Sequence, residues 1–416
     1  MSHPMSASFY DIMAQRGLIH QSTDEQMHER LQQPCTAYIG FDPTADSLHV
    51  GSLVPVMVLA WLQRCGHRPL ALVGGATGMI GDPSGKTSVR TMLSAEEIAH
   101  NTQAIGAQIG RVVRFGDGPT DARLLNNADW LADRTWIDIL RDYGPHFSVN
   151  RMLTMDSVKG RMEAGGITFL EFNYMVMQAA DFVHLAQHYD CTLQMGGQDQ
   201  WGNIVMGIEL GRRMHGLSLA GLTMPLVTKA DGSKFGKSEQ GNIWLSAERT
   251  SVHDFFQFWR NVADADVSRF LAFFTFLPMR QINDLCAEEG QALNAAKETL
   301  AYEVTALIHG EEAAQRARDD ARKAFTGGDV SGDSIPHSAL TSQELASGIG
   351  LLLLMTRSGL TASNGEARRL VQGGGVRVND VKITDPALQL DPSYVVEGRM
   401  VVRVGKKKIH RFDVVG

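Results

Sequence analysis

The sequence contains few cysteines, and they are far apart. Cys35, Cys65, Cys191 and Cys286 form no C-x-x-C pair and belong to no closely spaced Cys/His cluster. Zinc sites and redox motifs depend on such spacings. We interpret the four residues as reduced, buried or incidental thiols.

One histidine pair does have a spacing that occurs in zinc proteases. His184 and His188 are four residues apart, but Leu185 stands where the general base of that motif is required. We therefore predict no protein-bound metal.

Long hydrophobic runs are also missing. The most apolar stretch, residues 349–355, is far shorter than the ~20 residues of a membrane span. The first residues, MSHPMSASFYDIM, contain no basic segment followed by an apolar one. We expect a cytoplasmic protein without a membrane partner.

The chain as a whole has no excess of positive charge. Its formal net charge is -7, which argues against uniform binding to nucleic acid along its length. Residues 341–416, however, contain eleven Lys/Arg against seven Asp/Glu. This asymmetry predicts an appended module for an anionic ligand.

The 416 residues, 44% of them hydrophobic, suffice for two to three domains of about 150 residues. Apolar runs at 36–42, 68–73 and 192–195 end in Asp-Pro or Gly-Gly, and helical periodicity follows the first and third. The alternation predicts an α/β fold with a parallel sheet, whose ligands bind at the carboxyl ends of the strands.

Composition also predicts where the chain divides. We assign residues 1–245 to the α/β domain and residues 246–326 to an all-α domain. Residues 327–340 are rich in Gly, Ser, Asp and Pro, as linkers are. The basic module occupies residues 341–416.

Two Gly-Lys-Thr/Ser tripeptides, at 85–87 and 236–238, suggest a P-loop. A P-loop needs an earlier glycine at the positions that Ile80 and Asp231 occupy here. The spacing therefore disfavours a P-loop kinase.

Two other segments have the residue types of an anion site. His49-Val50-Gly51-Ser52 stands between a predicted strand and a predicted helix, where unpaired N–H groups attract phosphate. Lys234 and Lys237 flank a glycine-containing turn, and mobile cations stabilise phosphoryl-type transition states. Taken singly, such a histidine is more often a capping residue and such a lysine pair is usually only solvated.

Together the segments resemble a known family. GFDPTADSLHVG, LVGGATGMIGDPSGK, MGGQDQWGNI and LVTKADGSKFGKS resemble the signatures of class I aminoacyl-tRNA synthetases, and most closely those of bacterial tyrosyl-tRNA synthetases. The likeness covers residues 9–325 and 340–412. It implies a Rossmann-type catalytic domain, a helical anticodon-side domain and a small α+β RNA-binding domain similar to a ribosomal protein.

The resemblance implies a tyrosine–tRNA ligase that forms tyrosyl-adenylate from L-tyrosine and ATP and transfers it to tRNA(Tyr). Mg²⁺ would accompany the ATP phosphates, no cofactor would be tightly bound, and the protein would be a homodimer. The implied catalytic residues are Thr44, His49, Lys86, Arg90, Lys234, Lys237 and Ser238. The implied ATP-binding residues are Asp42, Gly51, Ser52 and Asp199; Ser52 stands where the family commonly has a second histidine.

For the amino acid, the family holds the phenol between a tyrosine hydroxyl and an aspartate, which match Tyr38 and Asp181. Phenylalanine would leave these buried polar partners unpaired. The remaining tyrosine-binding residues match Asp82, Tyr174, Gln178 and Gln200.

In the basic module the resemblance implies phosphate contacts that position RNA without reading its bases. The implied residues are Arg368, Arg369, Arg377, Lys406, Lys407 and Lys408. A solvated basic surface is the alternative interpretation of this cluster.

A synthetase-derived RNA-binding or regulatory protein that has lost its chemistry is the alternative for the whole chain. His49, Lys234, Lys237 and both phenol-binding residues are present, which argues against such a loss.

Overall fold

The computed structural model describes residues 8–80, 82, 93–232, 235–238, 241–288, 290–326, 336–405 and 408–415. The chain divides into two compact units. The first comprises Met1–Ser246 and Ala263–Ala296, and the second comprises Ala247–Val262 and Lys297–Gly416.

A six-stranded sheet organises the first unit. Its strands are β1 (Gln21–Ser22), β2 (Thr36–Phe41), β3 (Arg68–Val73), β4 (Arg123–Asn126), β5 (Cys191–Gly197) and β6 (Ala220–Met224). The order is β1-β6-β5-β2-β3-β4. All neighbours pair in parallel except β1, which is antiparallel to β6. This doubly wound order confirms the predicted Rossmann-type α/β fold.

Burial explains why these segments are strands. Five of the six residues of β3 and all five of β6 are buried, as expected of parallel strands covered on both faces. The strand order reverses between β2 and β5, which therefore lie side by side. Ligands of doubly wound sheets bind at this point.

In the described part of the first unit, ten helices connect or cover these strands. They are α1 (Phe9–Gln15), α2 (Met27–Arg30), α3 (Leu53–Arg64), α4 (Ala95–Ile109), α5 (Ala128–Leu131), α6 (Trp136–Asp142), α7 (Val149–Met152), α8 (Asp156–Glu163), α9 (Phe169–Tyr189) and α10 (Trp201–His215). The longest, α9, begins with a capping box between Thr168 and Glu171 and ends at Asp190 in the left-handed conformation.

The described residues of 246–326 form helices joined by turns. These helices are α11 (Val252–Arg260), α12 (Asp264–Phe274), α13 (Met279–Leu285), α14 (Leu293–His309) and α15 (Glu311–Thr326). A short hairpin, β7 (Lys237–Ser238) and β8 (Gly241–Asn242), precedes them.

The predicted boundary of the all-α domain is wrong in one respect, because α12 and α13 belong to the first unit. The guanidinium of Arg16, which is buried, contributes to this attachment. It donates to the carbonyl oxygens of Ala272, Thr275 and Leu277 at 2.7, 3.1 and 2.6 Å. It also lies 4.2 Å from the centre of the Trp61 ring, so it joins the end of α12 to α3.

The C-terminal part of the second unit is α+β, as predicted. Its helices are α16 (Ser342–Ala346), α17 (Leu351–Arg357) and α18 (Asn364–Gln372). Its strands are β9 (His337–Thr341), β10 (Ile349–Gly350), β11 (Val376–Val378), β12 (Val381–Ile383), β13 (Gln389–Leu390), β14 (Arg399–Val404) and β15 (Lys408–Val415).

Five of these strands form a sheet in the order β12-β11-β14-β15-β9, with β9 parallel to β15. The core beneath it includes Leu351, Val371, Val402 and Phe412. Because β9 belongs to this sheet, the predicted linker is wrong over residues 337–340. Residues 327–335 of the linker lie outside the described part of the chain.

Within the described ranges, the structure has no helix that is both long enough and apolar enough to span a bilayer.

Candidate active site

A cavity of about 690 Å³ opens at the carboxyl ends of β2 and β5 in the first unit. Its volume is that of a small-molecule site. Twelve of the residues singled out from the sequence line it: Tyr38, Asp42, Thr44, His49, Gly51, Ser52, Asp82, Tyr174, Gln178, Asp181, Asp199 and Gln200.

Three elements supply most of these side chains. Tyr38 lies on β2, and Asp42 follows that strand directly. Gln200 follows β5 in the turn that begins α10. Tyr174 and Asp181 are seven residues apart on α9 and therefore share one helix face.

The deepest end of the cavity holds a hydroxyl and a carboxylate. Tyr38 is 1% exposed, and within the described residues its hydroxyl has no hydrogen-bond partner. Asp181 is also buried. It accepts hydrogen bonds from Asn127 Nδ2 at 2.9 Å and from Trp130 Nε1 at 2.8 Å. These two donors hold the carboxylate in a fixed orientation.

Burial dominates the electrostatics of this end. It raises the pKa of Asp181 to about 7, although the hydrogen bonds from Asn127 and Trp130 act in the opposite direction. Burial, and next the Asp181 carboxylate, raise the pKa of Tyr38 well above its usual value. The Tyr38 hydroxyl is therefore protonated near neutral pH and able to donate.

A network of amides forms the polar wall of the cavity. Gln200 Nε2 donates to Asp82 Oδ2 at 2.7 Å, and Gln178 Nε2 donates to Gln200 Oε1 at 3.2 Å. Asn203 Nδ2 donates to Gln178 Oε1 at 2.9 Å. The Tyr174 hydroxyl donates to Asp42 Oδ1 at 3.1 Å. The wall thus presents two carboxylates, Asp82, which the Gln200 amide orients, and Asp42, which accepts from Tyr174.

The opposite end of the cavity lies at the start of α3. His49 precedes a single 3₁₀ turn, and its Nδ1 accepts the Gly51 N–H at 3.0 Å. A Cβ atom at position 51 would lie 2.7 Å from His49 Cε1. Glycine is therefore required there for the imidazole to keep its place.

The backbone joins the two sequence motifs. The Val50 N–H donates to the Ile243 carbonyl at 3.0 Å, and the Ile243 N–H donates to the Gly236 carbonyl at 2.9 Å. Gly236 has a φ of +85°, and a Cβ there would lie 3.0 Å from Val50 Cγ2. The segment around 236 therefore rests directly on the segment around 50.

Phe235 anchors this contact in an aromatic cluster. It is buried, and its ring centre lies 4.6 Å from that of Phe270 and 5.5 Å from that of Phe274. Both partners are on α12, so this helix supports the cavity wall through Phe235, which lines the cavity.

Several predicted residues cannot be assigned to this geometry. Lys86, Arg90 and Lys234 lie outside the described residues. Lys237 and Ser238 form β7, but their side chains are outside the description. Their roles stay predictions.

The predicted RNA-binding residues differ in their exposure. Arg368 and Arg369 are exposed on α18, and Arg377 is exposed on β11, where its Nη1 donates to the Asp380 carbonyl at 2.9 Å. Lys408 is half-buried, and its Nζ lies 3.4 Å from the Leu360 carbonyl. Lys406 and Lys407 lie outside the described residues.

The sequence analysis missed the residues that support the deep end of the cavity. Asn127 and Trp130 were not singled out, although Asn127 follows a strand directly. Gln194 was missed too; it is paired across the sheet with Tyr38. It lines the cavity, and its buried Oε1 has no partner within the described residues. Asn127 could have been found as a polar residue at the end of a strand. Gln194 could have been found as a polar residue on the strand beside Tyr38.

Comparisons with known proteins show the family of the chain. A family model described as tRNA synthetases class I (W and Y) matches residues 29–326. A second, the tyrosine–tRNA ligase SYY-like C-terminal domain, matches residues 329–411.

Individual relatives are similar over nearly the full length. The tyrosine–tRNA ligase of Rhizobium meliloti is 49% identical over 406 residues, 97% of each chain. That of Rhodospirillum rubrum is 49% identical over 411 residues, 98% of each chain. A C-terminally truncated mitochondrial tyrosyl-tRNA synthetase of Aspergillus nidulans is 32% identical with a TM-score of 0.68, covering 76% of this chain and 94% of its own.

The contact between Gly236 and Val50 can be tested with two glycine variants. Gly236→Ala adds both positive-φ strain and a Cβ within 3.0 Å of Val50. We expect the Val50 and Ile243 amides to exchange hydrogen roughly tenfold faster or more, because their pairing opens. Amide hydrogen exchange followed by NMR or mass spectrometry measures this.

Gly232→Ala is the matched control. Gly232 has a similar φ of +79°, but a Cβ there meets no described atom within 4 Å. If both variants accelerate exchange equally, backbone strain alone explains the effect and the contact contributes nothing.

Proposed function

We propose that the cavity at the ends of β2 and β5 is the active site of a tyrosine–tRNA ligase. The chain belongs to the class I tRNA synthetases of the tryptophan and tyrosine type and acts as a tyrosine–tRNA ligase. A carboxylate oxygen of tyrosine attacks the α-phosphorus of ATP, and pyrophosphate leaves. A ribose hydroxyl of the terminal tRNA adenosine then attacks the carbonyl carbon, and AMP leaves. No bond to the enzyme forms in either step.

The deep end of the cavity carries the assignment to tyrosine. The phenol of the substrate would lie between the Tyr38 hydroxyl, buried without a described partner, and the Asp181 carboxylate. Tyrosine supplies a partner to both groups. Phenylalanine leaves the Tyr38 hydroxyl buried and unpaired, at a cost of about 1–3 kcal/mol, and removes one hydrogen bond from Asp181, which keeps its two donors. Selectivity therefore follows from polar groups that the apolar ring cannot satisfy.

The polar wall suits the other end of the amino acid. Asp82, the carboxylate that Gln200 orients, would form an ion pair with the substrate ammonium. Gln178 would assist it, and Tyr174 would close the same side. Gln200, which bonds to both Asp82 and Gln178, would orient the substrate carboxylate towards ATP.

ATP would lie at the start of α3. Gly51 leaves room for the adenosine, and His49 would contact the phosphates beside the first turn of the helix. Thr44 would face the phosphates, Asp199 would bind the ribose, and Asp42 and Ser52 would complete the pocket.

Four cations and one hydroxyl would complete the phosphate site. Lys86, Arg90, Lys234, Lys237 and Ser238 are proposed to stabilise the charge that develops on the phosphates and on the departing pyrophosphate. Mg²⁺ would arrive as part of the nucleotide substrate and neutralise phosphate charge. Within the described residues no three His, Cys, Asp or Glu side chains form a group that could hold a metal ion.

We assign tRNA binding to the remaining domains. The helices of 246–326 would face the anticodon side, and the basic module would grip RNA phosphates through the exposed Arg368, Arg369 and Arg377. The enzyme would act in the cytoplasm, where its tRNA substrate is used.

We further propose a homodimer, on the basis of a large apolar surface. Large hydrophobic side chains of α6–α9 are exposed, among them Ile137 at 72% and Phe169 at 69%. The other members are Trp136, Leu140, Val149, Leu153, Met162 and Leu170. The Trp136 and Phe169 rings are in contact, with centres 5.7 Å apart. Exposed surfaces of this kind mark protein interfaces.

The activity is tested by exchange of labelled pyrophosphate into ATP without tRNA, over all standard amino acids. We expect exchange with tyrosine alone. In Tyr38→Phe, the ratio of kcat/KM for tyrosine to that for phenylalanine should fall about tenfold, because one hydrogen bond to the phenol is lost.

Tyr10→Phe, in a residue that does not line the cavity, is the control and should leave the ratio unchanged. An unchanged ratio in Tyr38→Phe would remove Tyr38 from the phenol site. If folded wild-type protein shows no exchange with any amino acid, the non-catalytic RNA-binding alternative is correct.

The pKa of Asp181 predicts a pH dependence. A substrate phenol donates to the ionised carboxylate, and burial raises the pKa of Asp181 to about 7. We expect kcat/KM for tyrosine at saturating ATP to rise as pH increases towards about 7 and to level off above it. Trp130→Phe removes a donor that lowers this pKa, so the rise should move to higher pH.

A profile that is flat from pH 5.5 to 8.5 would mean that the neutral acid binds the phenol equally well. A profile that does not move in Trp130→Phe would assign the rise to another group.

The dimer is tested by sedimentation velocity. The wild-type protein should sediment at twice the chain mass of 45.5 kDa, and the double variant Ile137→Asp, Phe169→Asp as a monomer, because two charges would be buried in an apolar interface. Leu353→Asp is the control, since Leu353 is also 55% exposed but lies in the second unit. A monomeric wild-type protein would refute the proposal.

A further inference from the structure

His184 lies beside the phenol site without lining the cavity. It follows Asp181 by three residues on α9, so the two side chains are neighbours on the helix surface. Its imidazole is stacked on the Trp130 indole, with ring centres 4.2 Å apart and planes only 11° from parallel. The same indole donates its N–H to Asp181 Oδ1.

We propose that His184 is a positioning residue for tyrosine selection, which fixes the Trp130 indole so that its N–H points at Asp181. This inference rests on the proposed role of Asp181 in binding the phenol. His184, Trp130 and Asp181 then form one unit, in which the helix that bears the carboxylate also holds the donor that orients it.

Trp130 needs such a support because its own backbone provides little. It belongs to α5, a single turn of four residues, and so short a helix is not stable by itself. The indole is only partly buried. A parallel aromatic contact restricts rotation of the indole about its side-chain bonds, which is the motion that would break the bond to Asp181.

The imidazole of His184 is uncharged, as a purely aromatic contact requires. Burial, and then the neighbouring His188 and Arg134, lower the pKa of His184 to about 4. The imidazole is therefore neutral near pH 7, and another flat aromatic ring can replace it.

His188 provides a comparison within the same pair. It lies 4.3 Å from His184, centre to centre, at an angle of 35°, and it is exposed. The two histidines have metal-ligand spacing in the sequence. In the structure, however, His184 stacks on Trp130, which is bonded to Asp181 of the phenol site.

The test compares His184→Ala, His184→Phe and His188→Ala in the full-length protein. In pyrophosphate exchange we expect His184→Ala to raise KM for tyrosine about tenfold and to lower the tyrosine-to-phenylalanine ratio of kcat/KM. KM for ATP should stay within twofold. His184→Phe should restore the tyrosine KM to within about twofold, and His188→Ala should match the wild type.

A double-variant cycle identifies the route. If His184 acts through Trp130, adding His184→Ala to Trp130→Phe should change the tyrosine KM by less than twofold, since the N–H that His184 orients is already gone. Additive effects would overturn the proposal, as would a His184→Phe variant no better than His184→Ala.

Folding and function are separated by further readouts. Tm is measured for every variant. If His184→Ala fails to fold, the tyrosine KM of His184→Phe is compared with that of His184→Asn, since only the phenylalanine variant keeps an aromatic ring. Equal tyrosine KM values in these two would overturn the proposal. Wild-type exchange with tyrosine is the reference: its absence would refute the proposed function, whereas a change confined to the variants concerns His184 alone.

Discussion

The site depends on two strands that are distant in the sequence and adjacent in the sheet. β2 and β5 lie side by side because the strand order reverses between them, and this adjacency pairs Tyr38 with Gln194. The helices that follow these strands begin at the same edge, which places both His49 and Gln200 in the lining of one cavity. Polar groups can line a cleft in an apolar domain at the strand ends, because side chains and helix termini there form hydrogen bonds with one another.

Within that cleft, polar groups differ in whether they already have partners. Asp181 has two donors, and the amides around Gln200 are bonded to each other. The Tyr38 hydroxyl, in contrast, is buried without a described partner. Free energy lost by desolvating such a group is recovered only when a ligand supplies the missing bond. The protein therefore gains most from a ligand with a hydroxyl at that depth.

The sequence predicted the sheet and the linear motifs well, because each is local. Apolar runs located β2, β3 and β5, and the resemblance assigned residues that the structure places in one cavity. It failed where contacts are tertiary. Trp130 supports Asp181 only because the turn after β4 meets α9, and the domain boundary was misplaced because a buried Arg16 attaches α12. Neither periodicity nor composition predicts such contacts, because nothing in the sequence around one residue identifies its distant partner.

Arg16 and Phe235 together link the first described helix to the motif loop. Arg16 bonds the end of α12, and the same helix holds Phe235 through Phe270 and Phe274. Anyone shortening, tagging or permuting this enzyme should therefore treat α1 as part of the structural support of the cavity rather than as an appendage.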